Sequence, residues 1–183
     1  PRELNRAQRL GMPLCVVMLD MDGFKQFNDS FGHGPGDALL RTFAEVLRKY
    51  LRKSDISCRY GGDEFVLIMP DSPVADTQQR VEQIRIHLKE LQQVQHAGQQ
   101  LGMITLSAGI AFTPEHGSTE SELLKAADEA MYTAKQSGRN RIVVYQKEPR
   151  LSSLSTGVDE TFPQPIATAG ILLTNNSNHM PDR

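Results

Sequence analysis

The chain has 183 residues, 39% of them hydrophobic, enough for one domain with its own core plus a tail or linker. Its 20 basic and 22 acidic residues leave a formal charge of −2, which argues against a general nucleic-acid binder, since such proteins are usually basic. The longest apolar run, residues 14–19, is too short to span a bilayer, and no signal peptide is visible.

Residues 2–10 read as a polar helix. The run LCVVML at 14–19 reads as a central strand buried on both faces. DMDGFKQFNDSFGHGPGD, residues 20–37, is rich in Asp, Gly and Asn and reads mainly as a turn-rich connection. From Asp37 the apolar residues Leu39, Leu40, Phe43, Val46, Leu47 and Leu51 recur at three and four residues, the spacing of an amphipathic helix. Two short strands, 56–60 and 64–69, are joined by Gly61-Gly62, a hairpin signal. A second amphipathic helix spans 73–92, HAGQQ at 96–100 is a turn, and 103–112 is a β-rich run. The last helix carries Thr119 with Glu122 as a capping box and Gly138 as its stop. RIVVYQ at 141–146 closes as a strand. The order predicts an α+β fold, a mostly antiparallel central sheet with flanking helices. Residues 1–147 make the domain. From 148 to 183 the composition shifts to Ser, Thr, Pro and Asn, broken by ILL at 171–173, and predicts a disordered tail or linker.

Cys15 and Cys58 lie in apolar, strand-like runs without CxxC or Cys/His spacing. They read as buried free thiols, which suits a reducing compartment and an expected cytoplasmic location; an upstream segment that would make this the cytoplasmic part of a larger or membrane-bound sensor would not be visible in this stretch.

Two acidic turns stand out. Asp20-Met21-Asp22 ends the first strand, and Asp63-Glu64 sits at the hairpin turn. If the first strand lies beside the hairpin, Asp20 and Asp63 meet at one edge of the sheet. Paired carboxylates without a cationic partner attract a hard cation such as Mg²⁺. The bland alternative is that Asp20 and Asp22 only end a strand and cap the next segment. Gly61-Gly62 also has two readings: a turn that needs φ > 0, or a backbone that must approach a phosphate closely. Lys25, Lys135 and Arg139 together have the charge to neutralise a triphosphate, or they are ordinary surface cations.

RYGGDEF at 59–65 resembles the signature of the GGDEF domain family, the diguanylate cyclases. LDMDGFKQFNDSFGHGPGD, LSAGIAFTPEHG and ADEAMYTAKQSGRNR resemble the family's other blocks, in order and at family spacing, over residues 10–146. The resemblance implies a ferredoxin-like, palm-like nucleotidyl cyclase fold. It implies that two GTP condense to cyclic di-GMP and two pyrophosphates with Mg²⁺ or Mn²⁺, two per half-site. By position, Asp20, the Met21 carbonyl, Asp63 and Glu64 are implied at the metals, with Asp63 and Glu64 required for catalysis. Asn28 and Asp37 match the guanine-binding pair, and His33 a substrate contact. Lys25, Lys135 and Arg139 match phosphate contacts, with Gly61 and Gly62 beside the substrate. A carboxylate at Asp37 accepts from guanine N1–H and N2–H₂ together, a donor pair that adenine lacks. Each domain is implied to hold half a site, so that a homodimer is needed for catalysis.

Arg52 and Asp55, six residues before Gly61, match an inhibitory RxxD motif that binds cyclic di-GMP. The register places a further arginine of that site near Gln83, with Arg80 and Arg85 as neighbours. The Asp-x-Leu-Thr-Gly-Leu-x-Asn-Arg block that opens the family's domains is not in the sequence, so a truncated start and a missing upstream regulatory domain are expected. Two rivals stay open: a catalytically silent GGDEF domain that senses GTP or cyclic di-GMP, and a scaffold serving a partner.

Overall fold

A computed structural model describes residues 2–95 and 104–147; the predicted turn at 96–100 and tail at 148–183 lie outside the described residues. The elements are α1 (Arg2–Leu10), β1 (Leu14–Asp22), α2 (Phe24–Phe31), α3 (His33–Tyr50), β2 (Ile56–Arg59), β3 (Glu64–Pro70), α4 (Val74–Gln95), β4 (Thr105–Phe112), α5 (Glu120–Gln136) and β5 (Ile142–Val144). They build one sheet in the order β2-β3-β1-β4-β5. β1 pairs antiparallel with β3 and β4, β2 with β3 likewise, and β5 runs parallel to β4. Among the described residues, no helix is long and apolar enough to cross a membrane.

The continuous apolar run makes β1 the middle strand, buried at every position. Its alternate residues serve opposite faces. Cys15, Val17, Leu19 and Met21 join one cluster with Phe43 and Leu47 of α3 and Ile84 and Leu88 of α4. Leu14, Val16 and Met18 join another with Leu4 of α1 and Leu123, Ala127 and Met131 of α5. Each fully buried side chain of this size contributes roughly 1.5–3 kcal/mol. Gly109 of β4 lets α5 lie directly on the sheet, since a Cβ there would overlap the Ala127 carbonyl and the Met131 nitrogen.

The stretch 20–37 is not mainly a connection. β1 continues to Asp22, and α2 and an early start of α3 take up most of the rest. Gly23, at φ 81°, turns the chain into α2, and Gly32, at φ 86°, separates the two helices. α2 forms because Phe24 is buried and Phe27 packs on the core, its ring 5.0 Å from Phe31. Tertiary burial overrides the weak local propensity. Cys15 is buried as expected, but Cys58 is exposed, because β2 is an edge strand with all four residues exposed. The closing strand is shorter than expected. The Thr119–Glu122 capping box is present in full, and Gly138 follows the end of α5 at φ 105°.

Candidate active site

The β1–β3 register sets Asp20 opposite Glu64, and the Met21 N–H donates to the Asp63 carbonyl at 3.2 Å. The two acidic turns therefore meet at one end of the sheet. Asp20 and Asp22 share the face of Val16 and Met18, the face that α5 covers. Their roles differ. Asp22 accepts from Thr105 Oγ1 (2.7 Å), Ser107 Oγ (2.8 Å) and the Asn140 N–H (3.1 Å), so it braces β4 and the α5–β5 loop. Asp20 receives Lys135 Nζ at 2.7 Å. The expectation that these carboxylates lack a cationic partner is corrected: α5 crosses the same face and delivers Lys135 to it. Burial pushes the Asp20 carboxyl up from its ordinary value, Lys135 pulls it down, and the nearby charges of Asp63 and Asp22 push it up again.

At the hairpin turn, neither glycine has a positive φ. Backbone conformation therefore does not demand glycine here. At Gly61 an added Cβ would lie 2.7 Å from the Glu64 Oε2, the end of a flexible side chain that can move aside. At Gly62 nothing lies within 4 Å of such a Cβ, so that glycine leaves open space beside the backbone. Arg59 closes the turn from the other side. Its Nε donates to the Gly61 and Gly62 carbonyls at 3.1 Å each, and its Nη2 to the Gly62 carbonyl at 2.7 Å. The sequence reading gave Arg59 no role; the signal was an arginine two residues before a Gly-Gly turn, whose carbonyls need donors.

On the helical side, Gly36 allows Asn28 to approach α3, since a Cβ there would overlap the Asn28 Oδ1. That brings Asn28 beside Asp37. Asn28 Oδ1 is buried without a hydrogen-bond partner, whereas Asp37 is exposed. A cleft of about 550 Å³ takes in Asp37 and runs between α3 and β2 over Leu40, Arg41, Arg48, Arg59 and Phe65. Lys25 lies in the first turn of α2 and His33 in the first turn of α3, both exposed. Arg139 is exposed beyond the end of α5. It and Asn140 adopt left-handed backbone, φ 57° and 49°. Such strain persists only where neighbours over-determine it. Here Asp22 takes the Asn140 N–H and Arg85 Nη1 donates to Asn140 Oδ1 at 2.6 Å.

The Arg52 corner lies apart from these groups in the sequence and is built as a closed turn. Asp55 Oδ2 accepts from the Arg52 N–H at 2.8 Å and from Arg80 Nη1 at 3.0 Å; Asp55 Oδ1 is buried without a partner. Arg52 itself is exposed and, with Lys53, lines a groove of about 470 Å³ that Arg6 and Leu10 of α1 enter from the other side. Of the two neighbours of Gln83, Arg80 belongs to this corner. Arg85 instead reaches Glu82 and Asn140.

The sequence model of the family described as "Diguanylate cyclase, GGDEF domain" matches residues 1–141. The chain belongs to the GGDEF domain family. This GGDEF domain is 44% identical over 140 residues to Response regulator PleD of Caulobacter vibrioides, covering 76% of the chain and 31% of PleD. It is 37% identical over 145 residues to Diguanylate cyclase DosC of Escherichia coli, covering 79% of the chain and 31% of DosC. The chain thus spans about a third of the length of these curated relatives. The GGDEF domain of DgcB from Caulobacter crescentus, solved in complex with c-di-GMP, matches with a TM-score of 0.69 at 32% identity, covering 78% of this chain and 84% of that one. The fold is the palm-like nucleotidyl cyclase fold.

Diguanylate cyclases of this family generally need a divalent metal. Among the described residues, no three His, Cys, Asp or Glu side chains converge closely enough to hold one. Asp20 points to Lys135 and Glu64 folds back over Gly61. The chemistry nonetheless suits a hard cation. The donors are all oxygens, Asp20 and Asp63 repel each other, and an ammonium already sits on Asp20.

Proposed function

We propose that this domain condenses two GTP into cyclic di-GMP and two pyrophosphates, each domain of a homodimer holding one GTP. The observation that carries this reading is the meeting of Asp20 and the Asp63 turn at one sheet end, with open space at Gly62 and a cation from α5.

Asn28 and Asp37 take the guanine. The buried, unpartnered Asn28 oxygen asks for a donor, and guanine brings three N–H bonds to its edge. A base without them leaves that oxygen unpaired, at a cost of about 1–3 kcal/mol. Lys25, Lys135 and Arg139 neutralise the triphosphate, and His33 flanks the substrate. The backbone at Gly61 and Gly62 lets the α-phosphate come close. The 3′-oxygen of one GTP attacks the α-phosphorus of the other, the bond from that phosphorus to the bridging oxygen breaks, and pyrophosphate leaves. Asp63 takes the hydroxyl proton. Mg²⁺ or Mn²⁺, two per half-site and held by Asp20, Asp63, Glu64 and the Met21 carbonyl, would supply a lowered hydroxyl pKa and charge neutralisation at the phosphate. The second half of the ring forms the same way across the dimer axis, so neither domain alone aligns both reactants. Cyclic di-GMP returns to the Arg52 corner as an inhibitor.

GTP turnover with Mg²⁺ is measured at several protein concentrations, with the product identified by mass spectrometry. A specific rate that climbs with concentration and yields cyclic di-GMP is the expected result. Saturable GTP binding without product would replace the cyclase by the silent sensor.

A further inference from the structure

We infer that Arg59 is a positioning residue: it holds the hairpin turn so that the N–H groups of Gly62 and Asp63 face a phosphate oxygen of the nucleotide. This rests on the cyclase reading and adds a part to its machinery.

The backbone of the turn can be accounted for group by group. The Tyr60 and Gly61 N–H groups both donate to the Glu64 carbonyl, at 2.8 and 3.2 Å. The Asp63 carbonyl accepts from Met21 of β1. The Gly61 and Gly62 carbonyls accept from the Arg59 guanidinium. Among the described residues, the N–H groups of Gly62 and Asp63 donate to nothing. Peptide planarity gives their direction. In a trans peptide the C=O of one residue and the N–H of the next point opposite ways. With both carbonyls drawn to Arg59, the two N–H groups that come after them point away from it. Two successive N–H groups on one side of a turn form a concave donor pair suited to an anion. Gly62 also carries no side chain to crowd the turn, and a Cβ there would meet nothing within 4 Å. The same turn carries Asp63, so the donor pair lies next to the carboxylate assigned to the reaction.

A planar guanidinium suits this task, because its fork reaches two carbonyls at once from a fixed geometry. Donors held in place before reaction act on charge that develops in the transition state, which predicts an effect on kcat rather than on substrate binding.

The test uses the full chain with Arg59→Met and Arg59→Lys, read in three ways. Backbone order parameters of Gly61–Asp63 are measured by NMR without nucleotide; Arg59→Met is expected to lower them from about 0.85 to below about 0.6. The thermal midpoint is expected to stay within about 2 °C, because Arg59 is exposed. With GTP, kcat is expected to fall about 100-fold with KM within about threefold, and Lys to recover only part of it. An unchanged turn in the free variant overturns the inference. So does a rise in KM at constant kcat, or full rescue by Lys, either of which makes Arg59 a simple charge for the nucleotide. If the wild type makes no cyclic di-GMP, the cyclase reading falls by itself, and the order parameters still decide whether Arg59 holds the turn.

Discussion

Asp20 and Asp55 each sit in an ion pair of similar length, 2.7 Å to Lys135 and 3.0 Å to Arg80. Their surroundings differ. The Asp20 side chain keeps 10% of its surface and its lysine 30%, at the open end of the sheet. Asp55 keeps none and Arg80 13%, and the same carboxylate oxygen also closes the Arg52 turn. A lysine ammonium is a point charge on a flexible stem and exchanges partners readily, whereas a guanidinium held against a buried carboxylate is a fixed brace. The first pair stands where the proposed function puts the nucleotide. The second shapes the backbone on which an exposed arginine is displayed. Substitution should therefore cost function at one place and stability at the other.

The largest effect is expected at the turn. Asp63→Ala should lower GTP turnover about 1000-fold or more, several kcal/mol of lost transition-state stabilisation, with an unchanged urea midpoint. Unfolding of this variant would make the carboxylate a structural group and dissolve the contrast. Next comes the brace. Arg80→Met strands Asp55 in the interior and should cost about 3 kcal/mol or more of unfolding free energy. Lys135→Met also leaves a buried carboxylate without its cation, but one that keeps some solvent contact and whose lysine is 30% exposed, so it should cost less, about 1–2 kcal/mol, in the same urea titration. Equal losses would mean that the two pairs do the same work. Arg52→Ala keeps the backbone N–H that Asp55 accepts, so the corner stays folded. Cyclic di-GMP inhibition of that variant should weaken about tenfold, the worth of one charged contact; unchanged inhibition would remove the product site from this corner.

The smallest effect concerns pH. His116 lies between the rings of Phe112 and Tyr145, and its Nδ1 accepts from the Phe112 N–H. Burial lowers its pKa below the ordinary value. The unfolded chain therefore binds the proton first as pH falls, and the stability present above about 6.5 is lost as pH drops through the folded value. Denaturation midpoints at pH 7.5 and 5.5 should show this loss in the wild type and a smaller one in His116→Phe. An equal loss in both would assign the acid sensitivity elsewhere.

Much of this was legible in local pattern. The apolar run at 14–19 marks a strand buried on both faces because no polar residue interrupts it. The helical spacing from Leu39 to Leu51, the hairpin around Gly61-Gly62 and the capping box at Thr119 each arise from rules that act within a few residues. The blocks that carry the family resemblance are also local, which is why the family could be recognised before any contact was known.

Contacts between distant segments were not legible, since no short-range rule reports them. Lys135 and Asp20 are 115 positions apart and meet only because α5 crosses the face on which Asp20 points. Asp22 reads like Asp20 in the sequence, yet Thr105, Ser107 and Asn140 make it a brace. Cys58 looked like a core residue until the strand order put β2 at the sheet's edge. Of the basic residues near Gln83, the direction of each side chain decided that Arg80 serves the Arg52 corner and Arg85 the α5–β5 loop. By itself, the sequence determined most of the elements and the kinds of chemical group, because those depend on neighbours along the chain; α2 and the early start of α3 came only with the packing of Phe24 and Phe27 on the core. The tertiary structure alone decided which carboxylate meets a lysine at the end of the sheet and which is tied to β4 and the α5–β5 loop, because burial and partners are set by segments that the chain order keeps apart.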